Sequence, residues 1–159
     1  MTRTVILLAV AGAIVSATPA LAEVRVTFIN AAEYRDRDFR NPKKRETTLD
    51  AFRRFFRKLG KQYLQPGEVV TLEVLDIDLA GDFEPGRRHL GNVRIMDGIT
   101  PPRFKMRFRL TVNGRIISQG EESIVGTNYL MGFSARNSSD TFAFEKQMLR
   151  RWFRKRFSR

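Results

Sequence analysis

Apolar and polar residues alternate from Val24 to Phe28, a period of two that predicts a strand with Val24, Val26 and Phe28 on its buried face. A charged, turn-like stretch follows over 31–42, and the period then lengthens. Leu49, Phe52, Phe55, Phe56 and Leu59 recur at steps of three and four, which predicts an amphipathic helix over 46–59. Thr47 is its expected N-cap, since a hydroxyl can accept the first free N–H groups, and Gly60 its expected left-handed stop. A turn through Pro66-Gly67 leads into a strand over 69–79 whose pattern has two phases. Val70, Leu72 and Val74 share one face, while Leu75, Ile77 and Leu79 continue on the opposite parity. One extra residue near Val74-Leu75, a β-bulge, reconciles the phases. A strand buried on both faces is the alternative.

The Gly- and Pro-rich segment 81–102 permits a short strand at 93–96. Phe104, Met106, Phe108, Leu110 and Val112 then alternate with Lys105, Arg107, Arg109 and Thr111, the cleanest amphipathic strand in the chain. Asn113-Gly114 suits a type I′ turn, which needs positive φ at both positions, and 115–125 returns as the partner strand. After a loop over 126–139, Asp140 is the expected cap of a last helix reaching Phe157, with Phe144, Met148, Leu149, Trp152, Phe153 and Phe157 as its buried stripe. The order is β-α-β-(β)-β-β-α. The first βαβ unit should be parallel and right-handed. Each helix has one apolar stripe, so each must cover a sheet. The expectation is an α+β fold: a two-layer sandwich with a mixed sheet of four or five strands and two helices on one face. No repeat or linker divides residues 23–159, which are expected to form one domain.

Ahead of this pattern stand Met1-Thr2-Arg3, an apolar run over 5–17, Pro19 and the small-x-small site Ala20-Leu21-Ala22. Together they predict a cleavable secretory signal over 1–22 and export, to a bacterial periplasm. The run is shorter than the ~20 residues of a membrane span, and no later run is long enough, so no transmembrane span is expected after cleavage.

With no cysteine, the 159-residue chain has no disulfide and no thiol nucleophile, and its single histidine, His89, cannot build a usual zinc site. Gly132-Phe133-Ser134-Ala135-Arg136 lacks the second glycine of a hydrolase elbow. No catalytic residue and no cofactor is implied. The remaining candidate is acidic: Asp76, Asp78, Asp82 and Glu84 lie close enough in sequence to hold a hard cation. Against that, no calcium-loop pattern fits. Asp76 and Asp78 would share one strand face, and charges there would pair naturally with Lys105, Arg107 and Arg109 across the sheet.

Charge changes the picture most. The chain carries +12, and cleavage after Ala22 removes only Arg3 among the charged residues. The segment 43–61 holds eight basic and two acidic residues, and 146–159 holds seven basic and none acidic. If both helices lie on one sheet face, Arg53, Arg54 and Arg57 would join Arg150, Arg151, Arg154 and Lys155 on a single cationic exterior. Such a surface attracts anionic lipid, acidic polysaccharide or an acidic partner. Nucleic acid fits the charge but not the export signal. A solvated exterior is the rival reading, although solubility requires no one-sided bias.

The chain resembles a family of bacterial exported proteins described only as a domain of unknown function, number 3016 in its series. The resemblance spans about Glu23 to Phe157. It rests on Val24-Arg25-Val26-Thr27-Phe28, Leu75-Asp76-Ile77-Asp78-Leu79-Ala80-Gly81 with Phe83-Glu84-Pro85, and Val93-Arg94-Ile95-Met96. It continues through Pro101-Pro102-Arg103, Asn113-Gly114, Gly120-Glu121-Glu122, Asn128-Tyr129-Leu130 and Glu145-Lys146 with Trp152-Phe153. The likeness implies export and a single domain, and no activity. The functional expectation from the residues is a non-enzymatic periplasmic or envelope protein that binds an anionic surface or a partner protein through a basic helical face. The alternative is a metal-binding protein or enzyme centred on the acidic cluster. Export makes the first prediction: the intact mass of periplasmic material should correspond to a chain beginning at Glu23, and a mass that retains residues 1–22 would refute it.

Overall fold

The computed structural model describes residues 21–83, 94–96, 98–131 and 133–158, with only the backbone at 83, 133 and 134. Residues 1–20, which hold most of the expected signal, Glu84 and His89 lie outside the described residues. The elements are β1 (Glu23–Phe28), α1 (Pro42–Tyr63), β2 (Glu68–Asp78), β3 (Asp82–Phe83), β4 (Arg94–Ile95), β5 (Arg103–Val112), β6 (Arg115–Val125), α2 (Phe133–Arg136) and α3 (Ala143–Phe157). Four strands form a mixed sheet in the order β1-β2-β5-β6, and β3 with β4 makes a separate two-stranded ribbon. β1 and β2 are parallel, joined through α1, while β2-β5 and β5-β6 are antiparallel. This is the expected α+β sandwich. The short strand expected at 93–96 falls in the ribbon, not in the main sheet.

Register explains the two layers. Val70, Leu72 and Val74 stand opposite Leu110, Phe108 and Met106, and all six are buried. The phase then changes as expected: the register shifts between Val74 and Asp76, and beyond it Ile77 pairs with Phe104, both fully buried. α1 and α3 pack side by side over this face. Phe52 of α1 meets Phe104 at 4.9 Å, Tyr63 meets Phe153 of α3 at 6.2 Å, and Phe157 meets Phe108 at 5.8 Å. The opposite face of the sheet carries Thr71, Glu73, Lys105, Arg107, Arg109 and Glu121, all exposed or half-exposed.

Helix α1 is longer than its apolar stripe at both ends. Asn41, not Thr47, is the N-cap; its side-chain oxygen accepts from the N–H groups of Lys43 and Lys44 at 3.0 and 3.1 Å, and Pro42 begins the helix with φ already set. Thr47 instead donates to the Lys43 carbonyl one turn back. Gly60 is not a stop. It lies inside the helix against β1, where a Cβ would come within 2.4 Å of Val24 Cγ2, so the glycine is there for close approach. The Asn113-Gly114 turn does have the positive φ expected, 49° and 80°.

The start of α3 also differs from expectation. Asp140 precedes the helix by three residues; its side chain accepts from the N–H of Phe142, which holds the N-cap position, and its backbone carbonyl accepts from the Ala143 N–H. Trp152, expected in the core, is half-buried at its margin: the indole Nε1–H donates to Glu122 Oε2 at 2.7 Å, and the ring stands edge-on to Phe108. Phe144 leaves the stripe to meet Tyr129 at 5.0 Å. The stripe that is buried is Met148, Leu149, Phe153 and Phe157, joined by Glu145.

This ranking predicts stability. Phe153→Ala, which empties a fully buried site, should cost roughly 3–5 kcal/mol. Trp152→Phe should cost about 1 kcal/mol, the net value of a hydrogen bond whose acceptor keeps a second partner. Chemical denaturation measures both, and a larger loss from the Trp152 substitution would reverse the packing order described.

Candidate functional site

The basic residues divide by their partners. On the open face of the sheet Lys105 and Arg107 are neutralised within the chain, while Arg109 donates to the Gln119 side-chain oxygen at 3.3 Å. Glu73, Arg107 and Glu121 sit in one cross-strand row, with Arg107 at 3.4 Å from Glu73 and 2.8 Å from Glu121, and Lys105 reaches Glu121 at 2.9 Å. On the helical side Lys146 pairs with Asp140 and Arg156 with Glu122, and others do not pair. Among the described residues, Arg54, Arg57, Arg150, Arg151, Arg154 and Lys155 have no carboxylate within 4.0 Å, and all six are exposed. Arg53 differs from the rest of the predicted set. It pairs with Asp50 and lies 5.5 Å over the Phe28 ring.

Five of the seven predicted cations line two recesses, and Arg54 and Lys155 line neither. Arg53 and Arg57 line a depression of about 410 Å³ between α1 and the β1 edge, with Arg25 and Lys61. Arg150, Arg151 and Arg154 line a groove of about 300 Å³ between α2 and α3, with Lys146. The α1–α3 seam lies between them, and Arg150 spans it with its guanidinium 5.6 Å over the Phe55 ring of α1. Arg54 is exposed on α1 next to that ring. No helix among the described residues is long and apolar enough to cross a membrane.

The acidic candidates are not gathered into a site. Asp76 and Asp78 do share the strand face away from Ile77, but their ion-pair partner is Arg35, not the Lys105–Arg107–Arg109 row. Asp76 Oδ1 accepts from the Arg35 N–H at 2.8 Å. Burial, and then the charge of Asp36, push the Asp78 carboxyl above its ordinary range. Asp82 is exposed on the ribbon. Among the described residues, no three His, Cys, Asp or Glu side chains are placed to hold a metal ion.

Sequence reasoning missed a buried charged network at the end of β2. Asp36, 5% exposed, accepts from the N–H groups of Asp38 and Leu79 at 2.8 and 3.0 Å, and from Arg94 at 2.9 Å. Arg94 also reaches Asp38 at 3.2 Å and the Gly81 carbonyl at 2.8 Å, and Lys44 reaches Asp38 at 2.8 Å. Alongside, Glu145 Oε1 accepts from the Ala80 N–H at 2.8 Å. A cleft of about 430 Å³ opens over Arg94, Asp38 and Glu145, with Leu79 and Phe142 as apolar walls. One signal was available. Glu145 sits on the apolar stripe one turn before Met148 and Leu149, where a solvated glutamate has no place.

The two carboxyls pull stability in opposite directions with pH. Burial raises Asp38, but hydrogen bonds from Lys44 and Arg94 outweigh it and hold the carboxyl below its ordinary 3.8, so its contribution is lost only as acid protonates it. Glu145 is raised above 4.5 by burial, against the Ala80 and Glu145 N–H groups. The fold therefore binds that proton more tightly than the unfolded chain does, and stability falls as pH rises above the ordinary glutamate range. Glu145→Gln keeps the acceptor for Ala80 and removes the titration. Its denaturation midpoint should gain on the unaltered protein as pH rises from about 4.5, the ordinary glutamate value, toward neutrality. A pH-independent difference would contradict the burial of the carboxylate.

A family model described as "Protein of unknown function (DUF3016)" matches residues 22–155, and the chain belongs to that family. No curated protein and no solved structure matches it.

Proposed function

We propose that this DUF3016 member is an exported, non-enzymatic envelope protein that docks on anionic envelope material through the outer sides of α1 and α3. The observation that supports this reading is the division of charge. Arg107 and Lys105 have carboxylates across the strands, whereas Arg54, Arg57, Arg150, Arg151, Arg154 and Lys155 have none among the described residues. Cations gathered on one side without partners raise the local potential and attract polyanions. The apolar stripes beneath them are occupied by the core, so the docking is electrostatic and not insertional.

Magnitudes fit reversible binding. Each basic residue near an anionic membrane surface contributes about 1 kcal/mol. The Debye length falls from about 10 Å at 0.1 M salt to about 3 Å at 1 M, so binding should weaken steeply over that range. Flotation with phosphatidylglycerol vesicles should show binding at low salt, loss at high salt and little binding to phosphatidylcholine. Replacing Arg150, Arg151, Arg154 and Lys155 together by Gln should lower affinity at least tenfold, about 1.4 kcal/mol, with an unchanged thermal transition. Equal binding by the folded variant, or binding indifferent to salt, would refute docking through this side.

A further inference from the structure

We infer that the groove between α2 and α3 is a site for phosphate monoester headgroups of envelope lipids. The inference rests on the docking reading above and adds a specific subsite to it. Within the groove the single carboxylate is Asp140, and both of its oxygens lie 2.7 Å from Lys146 Nζ. Its charge is thereby answered, which leaves the guanidinium groups of Arg150, Arg151 and Arg154 around one recess of about 300 Å³ with no anion of their own.

Their placement follows from the helix. Arg151 and Arg154 are three residues apart and so are neighbours on one face of α3. Arg150 lies against the Phe55 ring, a contact that limits its rotamers and leaves its N–H edge available. Ser138 stands on the opposite wall, its hydroxyl accepting from the Asp140 N–H at 3.1 Å. A guanidinium presents donors in a planar fork that matches phosphate oxygens, whereas an ammonium acts as a point charge. A phosphate monoester offers three terminal oxygens and close to two negative charges at neutral pH. A diester offers two oxygens and one charge. Three arginines lining one groove therefore fit the monoester better. The ligand is membrane-borne because the groove is continuous, through Arg150 and the α1–α3 seam, with the cations of α1. A surface with further anions engages both, and a free phosphate engages only one.

The test uses the mature protein and vesicles of phosphatidic acid or phosphatidylglycerol adjusted to the same surface charge. Phosphatidic acid should bind about tenfold more tightly. The double variant Arg151→Lys with Arg154→Lys keeps the charge but loses the forks. It should reduce the preference to within about twofold, by weakening phosphatidic acid binding more than phosphatidylglycerol binding. Arg54→Gln with Arg57→Gln should weaken both lipids alike and preserve the ratio. Equal affinity for the two lipids in the unaltered protein, or a preference that survives the lysine variant, would overturn the inference while leaving general docking intact. Saturation by soluble glycerol 3-phosphate as tight as by vesicles would overturn the lipid assignment. Absence of binding to either vesicle at low salt would overturn the docking reading and the inference with it.

Discussion

The core depends on β2 changing face at Leu75. Before that residue, Val70, Leu72 and Val74 enter the core; after it, Ile77 and Leu79 do so on the opposite parity. A regular strand would turn one set outward, because a slip of one residue moves every side chain to the other face. The bulge solves the parity but disturbs the ladder beside Val74. The segment after β1 repairs it. The Val74 carbonyl accepts from the Ile29 N–H at 2.9 Å and from the Tyr34 hydroxyl at 2.7 Å. Two residues later Asp36 takes the Leu79 N–H, and Arg94 comes in from the ribbon to balance the buried carboxylate. A chain that must bend its central strand thus acquires a buried acid, a buried base and a fixed path from β1 to α1.

That arrangement constrains where charge can go. Asp36 and Arg94 are tolerable inside because each hydrogen-bonds the other and nearby backbone; either alone would be an unpaired buried charge, which is strongly destabilising. On the open face of the sheet, cross-strand geometry places Glu73, Arg107 and Glu121 in direct opposition, where opposite charges are favourable and like charges are not. The helices face no such requirement. Few carboxylates reach their outer surfaces: Asp50 answers Arg53, Asp140 answers Lys146 and Glu122 answers Arg156, while among the described residues Arg54, Arg57, Arg150, Arg151 and Arg154 have none. The basic excess of the chain has collected where folding leaves it unanswered.

Periodicity made much of this legible. The two-phase run in β2, the alternation of β5, the Asn113-Gly114 turn and the stripe of α1 are local signals, and each element formed where its period placed it. Boundaries were harder because they depend on partners distant in sequence. Gly60 has the look of a helix stop until Val24 of β1 is set beside it. Asn41-Pro42 caps a helix whose apolar stripe begins only seven residues later, at Leu49. Trp152 belongs to the stripe by spacing, but Glu122 on β6 offers its N–H a partner at the edge of the core, and the indole stays there. The buried network was illegible for the same reason. Asp36, Arg94 and Glu145 come from three separate segments, and only the tertiary fold shows that the charge of each is enclosed.

The partition of arginines carries the functional argument further than net charge does. Net charge is a property of composition and serves solubility wherever the residues stand. Partnering is a property of structure. Arg94 and Arg107 each have carboxylates and are accounted for by the fold itself: one joins the ribbon to the segment between β1 and α1, the other ties three strands together. Arg151 and Arg154 join nothing, and their mutual repulsion works against the compact state. The chain has 17 acidic against 29 basic residues, and one carboxylate, Glu121, serves both Lys105 and Arg107. With acid short in the sequence, the fold places its carboxylates beside other residues and, among the described residues, none beside Arg151 and Arg154. Solubility alone is met by mixed charge with a modest excess of one sign. On the proposed docking reading, the exposed cations Arg150, Arg151, Arg154 and Lys155 of α3, seated beside a second basic helix, would take their counter-charge from outside the chain, and the interaction that completes this electrostatic arrangement would be intermolecular.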